Sequence, residues 1–234
     1  MNQRERYIAA ITFGNPDRFP FEHSFGLMPG TLDRWHREGL PEKIQSPEAV
    51  RDHFGFSTGA AGLPVDFGPY PAFETQEWED DDGTLYRRDG MGVVRWLRPE
   101  VASLPIPCRF PIQNRGDWEE YRTRLRPDTA RLGEKLSERY QQIREAGKAI
   151  RVGWKGFYWF PRDLMGDEAL CLSYYSRPDL IKDILQTYSD MLFALSEELL
   201  SRVEVDWVHM GEDMCYRNAM MVSPDIFREF MTPH

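Results

Sequence analysis

The strongest constraint on the fold comes from the second half of the chain, where β-rich segments alternate with long amphipathic stretches. Residues 149–154 and 203–210 predict strands, and residues 178–201 between them carry apolar side chains at helical spacing. A further helix is expected to begin at Ser223, which is followed by a proline and an acid. This alternation indicates an α/β fold in which crossover helices connect parallel strands, either a doubly wound sheet or a (β/α)8 barrel.

The first half of the chain predicts shorter elements and one antiparallel insertion. Around residues 70–98, the turn sequences Asp82-Gly83 and Asp89-Gly90 separate stretches rich in aromatic and β-branched side chains, which is typical of a β-hairpin or meander. A strand is expected over residues 19–25 after a proline-rich entry. The other helices are expected over residues 3–13 and 127–146, with shorter ones near 31–37, 46–54 and 117–125.

Charge and cysteine content narrow the classes of partner. The net charge of −9 argues against nucleic acid and against anionic membranes. The three cysteines are widely spaced and form no Cys-x-x-Cys pair, which suits a reducing compartment better than a disulfide framework. The sequence contains neither a signal-peptide pattern at Met1 nor an apolar run of about 18 residues that could span a membrane. We therefore expect a cytoplasmic protein.

Parallel α/β sheets place their chemistry at the carboxyl ends of the strands, which directs attention to three strand ends. The first carries Glu22 and His23, which offer acid–base or ligand chemistry. Neighbours on a strand point to opposite faces, so only one of the two can face a barrel interior. The alternative is a polar strand terminus with one solvated side chain. Both residues are candidates for substrate binding.

The second strand end, residues 153–163, holds a cluster of aromatic residues that ends in Arg162 and Asp163. Aromatic rings beside a cation form a wall for a flat or carboxylated ligand, with Arg162 as the anion-binding group. Alternatively, the aromatic rings belong to the core, and Arg162 pairs with Asp163 or Asp167. On the first interpretation, Tyr158 and Arg162 are candidate substrate-binding residues.

The third strand end, residues 206–213, finishes with Glu212 and Asp213 directly after a glycine. Two adjacent carboxylates can take up a proton, bind a metal or hold a cationic group, and their crowding raises the pKa of each. The alternative leaves one acid in solvent and bonds the other to backbone amides of the next turn. We predict Asp213 and Glu212 as the catalytic residues.

Other catalytic motifs are not indicated. The histidines and cysteines, among them His209 and Cys215, form no recognised zinc spacing, so no metal ligand is predicted within the chain. The sequence also lacks a Gly-x-Ser-x-Gly elbow and a glycine-rich phosphate-binding loop.

Several motifs together resemble the uroporphyrinogen decarboxylase superfamily. An acidic strand end is followed by a helix of the form Ser-Pro-x-x-Phe-x-x-Phe that ends in Pro, and the start of the chain and the loop after the second strand end are similar to the family as well. The matching segments are residues 4–10, 16–20, 156–170 (with 162–166 between strand and helix), 212–214 and 223–233. The resemblance implies a (β/α)8 barrel as a single domain over residues 1–234, which we expect to be incomplete because its last βα units are missing.

The resemblance also implies a choice between two activities. The haem-pathway decarboxylase grips its carboxylated substrate with an arginine-bearing loop, whereas residues 23–31 contain no arginine. Leu164 stands where that enzyme has its active-site Tyr, and Met214 stands where it has a Ser. These departures favour the corrinoid-type methyltransferases of the family, which move a methyl group from a corrinoid to a thiol.

The working hypothesis is therefore an enzyme that transfers a methyl group or carries out a related reaction on a small molecule. Uroporphyrinogen decarboxylation, a step of porphyrin biosynthesis, is the alternative, and an inactive or partial binding module is the second alternative. In this family, zinc is bound through a His-x-Cys motif beyond the Ser-Pro helix, so zinc and a corrinoid-bound methyl donor are expected only if such a segment follows His234. A corrinoid protein as partner and a homodimer are further hypotheses.

Overall fold

The structure is a computed structural model, and it describes residues 1–21, 27–28, 30–57, 59–98 and 104–234. The strands are β1 (Ala60–Gly62), β2 (Gln76–Glu79), β3 (Leu85–Arg88), β4 (Val94–Trp96), β5 (Ile106–Arg109), β6 (Ala149–Lys155) and β7 (Trp207–Gly211). The α-helices are α1 (Gln3–Ile11), α2 (Thr31–Arg37), α3 (Pro47–Phe54), α4 (Arg115–Tyr121), α5 (Leu136–Glu145), α6 (Trp159–Met165), α7 (Asp167–Ser176), α8 (Pro178–Arg202) and α9 (Pro224–Ile226). Short 3-10 helices cover Arg122–Leu125 and Thr129–Leu132, and a π-helical turn over Phe227–Met231 continues α9.

A parallel sheet with helical connections is present, as the alternation of strands and helices predicts. Its strand order is β1-β6-β7, and β1 runs parallel to β6 with Ala60 opposite Ala149 and Gly62 opposite Arg151. Helices α6, α7 and α8 connect β6 to β7. Within the described residues the sheet has these three strands and does not close on itself. The structure thus shows a mixed α/β fold with an open parallel sheet, and the expected (β/α)8 barrel is not seen.

The insertion expected around residues 70–98 is an antiparallel meander, which confirms that prediction and adds β5 to it. Its strand order is β2-β3-β4-β5. Gly83 in the first turn has φ +82° and Gly92 in the second has φ +84°, a region that side chains other than glycine rarely adopt. In the second turn the Asp89 carboxylate accepts the N–H groups of Met91 and Val93 at 3.0 Å each. The first turn thus uses the glycine that the sequence indicated, whereas the left-handed residue of the second turn is Gly92 and not Gly90.

Three predicted boundaries differ from the structure. The helix expected over residues 127–146 is interrupted at Gly133, whose φ is +69°, so that a 3-10 turn precedes α5. The strand expected over residues 203–210 begins only at Trp207, and the side chain of Asp206 before it bonds to Arg4 and to the Ile150 N–H. Residues 19–21 have no regular secondary structure, and the rest of the strand expected over 19–25 lies outside the described residues. Strand β1, with the sequence Ala-Ala-Gly, was not predicted.

The chain divides into two compact units. The first comprises Met1–Leu63, Lys135–Val152 and Val203–Val208, and the second comprises Pro64–Glu134, Gly153–Arg202 and His209–His234. A single domain over residues 1–234 therefore stays a prediction.

In the first unit, α1 begins with a capping box. The Asn2 side chain accepts the Glu5 N–H, and the Glu5 carboxylate accepts the Asn2 N–H. One turn into the helix, Arg4 Nε donates to both carboxylate oxygens of Asp206 at 3.0 Å. The Asp206 carboxylate also accepts the Ile150 N–H at 2.8 Å. Asp206 therefore links α1 to the start of β6, and its part in this unit is structural.

In the second unit, α8 supplies the longest face of the core. Its first residue is Pro178, as expected for a residue that needs no N–H bond there, and the apolar stripe predicted from Ile181 to Leu199 is buried. The ring of Phe160 on α6 stacks on Tyr188 of α8 with centroids 3.7 Å apart. This contact sets the position of α6 directly after β6. Within the described residues, no helix combines the length and apolar character needed to cross a membrane.

Candidate functional site

A cleft of about 620 Å³ opens beside the carboxyl end of β6, entirely within the second unit. One wall comes from the meander and the segment after it, and the other from Lys155 at the end of β6 and from α6. The lining residues are Val93, Arg95, Leu104, Pro105, Ile106, Pro107, Phe110, Lys155, Trp159, Arg162, Asp163, Gly166 and Asp167. The meander wall is mainly apolar and the α6 wall is charged. This volume and this mixture suit a small organic molecule with an apolar part and a polar group.

Each cation of the cleft is already paired with an acid. Lys155 Nζ donates to the Asp163 carboxylate, and Arg95 Nε donates to Asp89 at 3.0 Å. Arg162 stacks over the Trp159 ring at 5.4 Å, which leaves the face of an aromatic ring and a guanidinium on the same wall. Paired charges of this kind can exchange partners when an ionic ligand enters.

Asp213 is the acid that holds Arg162. Arg162 Nη1 donates to Asp213 Oδ2 at 2.7 Å and to the Asp213 carbonyl oxygen at 3.3 Å. The Asp213 side chain is 58% exposed, whereas that of Arg162 is 19% exposed. Burial alone would lower the pKa of Arg162, but the hydrogen bond to Asp213 and the negative charges of Asp213, Asp163 and Asp167 together outweigh it, and the pKa is raised. The predicted candidates Arg162 and Asp213 are therefore brought together; of the two, Arg162 lines the cleft.

Glu212 points in the other direction, into the backbone. Its carboxylate accepts the Tyr158 N–H at 3.0 Å and the Trp159 N–H at 2.8 Å, and Oε1 also accepts the Asp213 N–H at 3.1 Å. Free N–H groups at the start of a helix favour such a negative partner. Of the two interpretations of the paired acids, this geometry matches the one in which one acid is solvated and the other is bound to backbone amides.

Tyr158 lies in the core and does not line the cleft. Its side chain is fully buried, and its hydroxyl donates to Asp167 Oδ1 at 3.1 Å. Burial, with the nearby Cys171 and Asp167, raises the pKa of this hydroxyl well above its usual range. Asp167 in turn lines the cleft, and a substrate contact of Tyr158 stays a prediction. Core packing of the aromatic cluster, the alternative considered for this segment, accounts for Tyr158.

The remaining sequence candidates lie elsewhere. Glu22 and His23 fall outside the described residues, so their role stays a prediction. Sequence reasoning missed Lys155, Trp159 and Asp163 as cleft residues, although Lys155 directly follows the predicted strand over residues 149–154. Its position just after a strand could have identified Lys155 as a cleft residue, because α/β folds place functional groups at strand ends. The meander wall carries no comparable signal, because its residues are distant from α6 in sequence.

A zinc site is not formed by the part of the chain that the structure describes. In these ranges no three His, Cys, Asp or Glu side chains converge in a way that could hold a metal ion. Cys108, Cys171 and Cys215 are separate free thiols. The family resemblance places the zinc ligands beyond the Ser-Pro helix, so zinc stays an expectation and no chemical step is assigned to a metal here.

One solved structure provides a relative in fold. The chain is similar to a methyltransferase from Methanosarcina mazei, with a TM-score of 0.54, 17% sequence identity and coverage of 100% of this chain and 65% of that chain. The chain thus spans less than two thirds of the length of that protein, and at this identity the likeness concerns the fold alone. No protein-family model matches the chain, and no curated protein matches it either.

Proposed function

We propose that the chain is an enzyme that transfers a methyl group to a small molecule, of the corrinoid-to-thiol type within the uroporphyrinogen decarboxylase superfamily. The observation that carries this proposal is the cleft of about 620 Å³ at the carboxyl end of β6, in a fold similar to that of a methyltransferase. A (β/α)8 barrel, a corrinoid protein as methyl donor and a homodimer belong to the same proposal. So does a cytoplasmic location, which suits three free thiols.

The chemistry of the cleft supports transfer to a thiol. A thiolate is the reactive form, and neighbouring cations lower the pKa of a thiol. Lys155 and Arg162 supply such cations, and the exposed Asp167 carboxylate can accept the thiol proton. The sulfur then attacks the methyl carbon, so that a C–S bond forms while the bond to the donor breaks and its electron pair stays on the donor. The Trp159 ring and the apolar meander wall offer apolar surface against which the methyl group can lie.

Incubation of the protein with methylcobalamin and a small thiol, with and without added zinc, tests the proposal. The expected product is the methyl thioether, detected by mass spectrometry. Arg162→Gln should lower the rate by about tenfold or more, which corresponds to about 1.4 kcal/mol of transition-state stabilisation. Arg87→Gln is the matched control, because Arg87 lies on β3 in an exposed ion pair with Glu77.

The outcome against the proposal is a folded protein that yields no thioether under any of these conditions. Equal rates for the two arginine variants would show that Arg162 takes no part in the reaction, but they would not exclude the reaction itself.

Decarboxylation is a second candidate, favoured by one observation. Arg95, Lys155 and Arg162 all line the cleft, so carboxylates of a substrate could bind there even though residues 23–31 lack arginine. Incubation with uroporphyrinogen should then give partially decarboxylated products, and their absence would remove this candidate. The third hypothesis, an inactive or partial binding module, predicts ligand binding without turnover of either substrate.

A further inference from the structure

The start of α6 is held from three directions within the second unit. The Gly156 N–H donates to the Gly211 carbonyl oxygen at 2.6 Å, which ties the segment after β6 to the end of β7. The Glu212 carboxylate accepts the N–H groups of Tyr158 and Trp159. Behind them, the Tyr188 hydroxyl donates to the Lys155 carbonyl oxygen at 3.0 Å. Together these bonds fix residues 155–159, and the helix that follows them carries the charged wall of the cleft.

Glycine at position 156 is what admits the Glu212 carboxylate. A Cβ atom built on Gly156 would lie 2.0 Å from Glu212 Oε2 and 2.6 Å from Cδ. Gly156 has an ordinary φ, and the Gly211 carbonyl oxygen lies 3.2 Å from the same Cβ atom, so an added methyl group meets the Glu212 carboxylate first and displaces it. The glycine and the acid therefore form one contact, to which the ends of two neighbouring strands contribute.

The cleft wall depends on this contact. Trp159, Arg162 and Asp163 all lie on α6 and all line the cleft. Because α6 has only seven residues, a displaced first turn moves every one of them. The adjacent Asp213 holds Arg162 directly, so the two acids after β7 act on the same helix.

We propose that Glu212 is a positioning residue: its carboxylate fixes the first turn of α6 and, through it, the charged wall of the cleft, and Gly156 is required to admit that carboxylate. Glu212 thus acts on the cleft without touching the ligand. The effect on turnover rests on the proposed function, whereas the effect on α6 does not.

The chemistry of glutamine provides a graded test. Two different oxygens of Glu212 accept the two helix N–H groups. A glutamine at this position offers one oxygen, and its NH2 group faces the other N–H, so one of the two bonds is lost. An alanine accepts neither. We therefore expect an order of effects in which Glu212→Ala exceeds Glu212→Gln.

Amide hydrogen exchange at Tyr158 and Trp159, measured by NMR or by mass spectrometry on short peptides, reports the contact itself. Glu212→Gln should speed exchange of one of these amides by about tenfold or more, and Glu212→Ala should speed both. Gly156→Ala should reproduce Glu212→Ala, since the added methyl group expels the carboxylate. Core amides of α8, such as that of Ile184, should keep their exchange rates, which separates a local effect from general destabilisation.

Matched controls and a double mutant complete the design. Glu168→Gln changes an exposed acid on α7, and Gly62→Ala adds a methyl group where, among the described residues, nothing but the adjacent residues lies within 4 Å. Neither should alter exchange at Tyr158 or Trp159. If Gly156 acts through Glu212, Gly156→Ala should change the exchange rates much less in the Glu212→Ala background than in the wild-type protein.

The outcomes separate the inference from the proposed function. Unchanged exchange in both Glu212 variants, or additive effects in the double mutant, would overturn the positioning role. Exchange that follows the expected order supports the positioning role even if the wild type transfers no methyl group, in which case the proposed reaction alone fails. In an active enzyme, Glu212→Gln should retain more turnover than Glu212→Ala, and a group that takes part directly as proton donor or acceptor would instead lose nearly all activity in both variants.

Discussion

Replacing Asp206 by Asn tests whether this acid of the predicted catalytic strand end serves the fold. The Asp206 side chain is 6% exposed and that of Arg4 is 33% exposed. The carboxylate accepts from Arg4 Nε, from Arg4 Nη2 and from the Ile150 N–H. An asparagine has one acceptor oxygen, so it keeps either the arginine or the backbone amide, and its NH2 group faces the other donor.

The cost follows from these bonds. A buried N–H left without a partner costs about 1–3 kcal/mol. The lost ion pair adds at most about 1 kcal/mol, because Arg4 remains partly in water and can be solvated. We expect Asp206→Asn to lower the free energy of unfolding by about 2–3 kcal/mol. Arg4→Met should also destabilise, and the double mutant should cost less than the sum of the two changes because they remove one interaction.

The pH dependence has a definite sign. Burial by itself would raise the pKa of Asp206, but the bonds from Arg4 and Ile150 outweigh it, and the pKa is lowered. A carboxylate with a lowered pKa contributes its full stability above the unfolded value of about 3.9 and loses it as the pH falls through the folded value. The difference between wild type and Asp206→Asn should therefore be constant from neutral pH down to about pH 5, and should shrink below about pH 4.

Urea unfolding followed by circular dichroism from pH 7 to pH 3 measures this difference. Asp225→Asn is the matched control, because Asp225 pairs with Arg228 at 2.8 Å and its side chain is 94% exposed. The control should change the free energy of unfolding by less than about 0.5 kcal/mol. Equal effects of the two substitutions, or a difference that persists undiminished at pH 3, would show that the ionised Asp206 carboxylate does not stabilise the fold.

Three further substitutions test other parts of the second unit. Arg131 is 1% exposed, and its guanidinium donates to several backbone carbonyl oxygens. Arg131→Met should therefore lower the free energy of unfolding in urea by about 3 kcal/mol or more. Arg126→Met, at an exposed site, should lower it by far less. Asp183→Ala removes the acceptor of the buried Trp118 Nε1 at 3.0 Å and should cost about 1–3 kcal/mol in the same assay. Gly166→Ala forces a side chain onto φ +81° with an aromatic carbon 2.6 Å from its Cβ, so its melting temperature should fall; an unchanged melting temperature would contradict this geometry.

Much of the secondary structure could be predicted from local patterns. The helix over residues 178–201 follows from an apolar stripe at helical spacing and a proline at its first position, and it appears as α8 with nearly the same bounds. The meander follows from its Asp-Gly turns. By contrast β1, with the sequence Ala-Ala-Gly, has no β-branched residue to mark it and exists only because β6 lies beside it.

The candidate site could be predicted only in part. Arg162 and Asp213 were both candidates, but their mutual ion pair depends on how β7 and α6 meet. Tyr158 was placed in the site because aromatic residues near a strand end often bind ligands, and the structure directs its ring to the core. Side-chain direction at a strand-to-helix turn depends on tertiary packing, which sequence spacing does not specify.

The contrast is sharpest at the pair Glu212-Asp213. That two carboxylates follow a strand, at the edge where α/β folds place their chemistry, can be inferred from residue order and hydrophobic periodicity, which are local properties. That Glu212 binds the backbone of α6 while Asp213 holds Arg162 becomes visible only in the folded chain. The free N–H groups at the start of α6 and the half-buried guanidinium become partners only once segments distant in sequence have packed together.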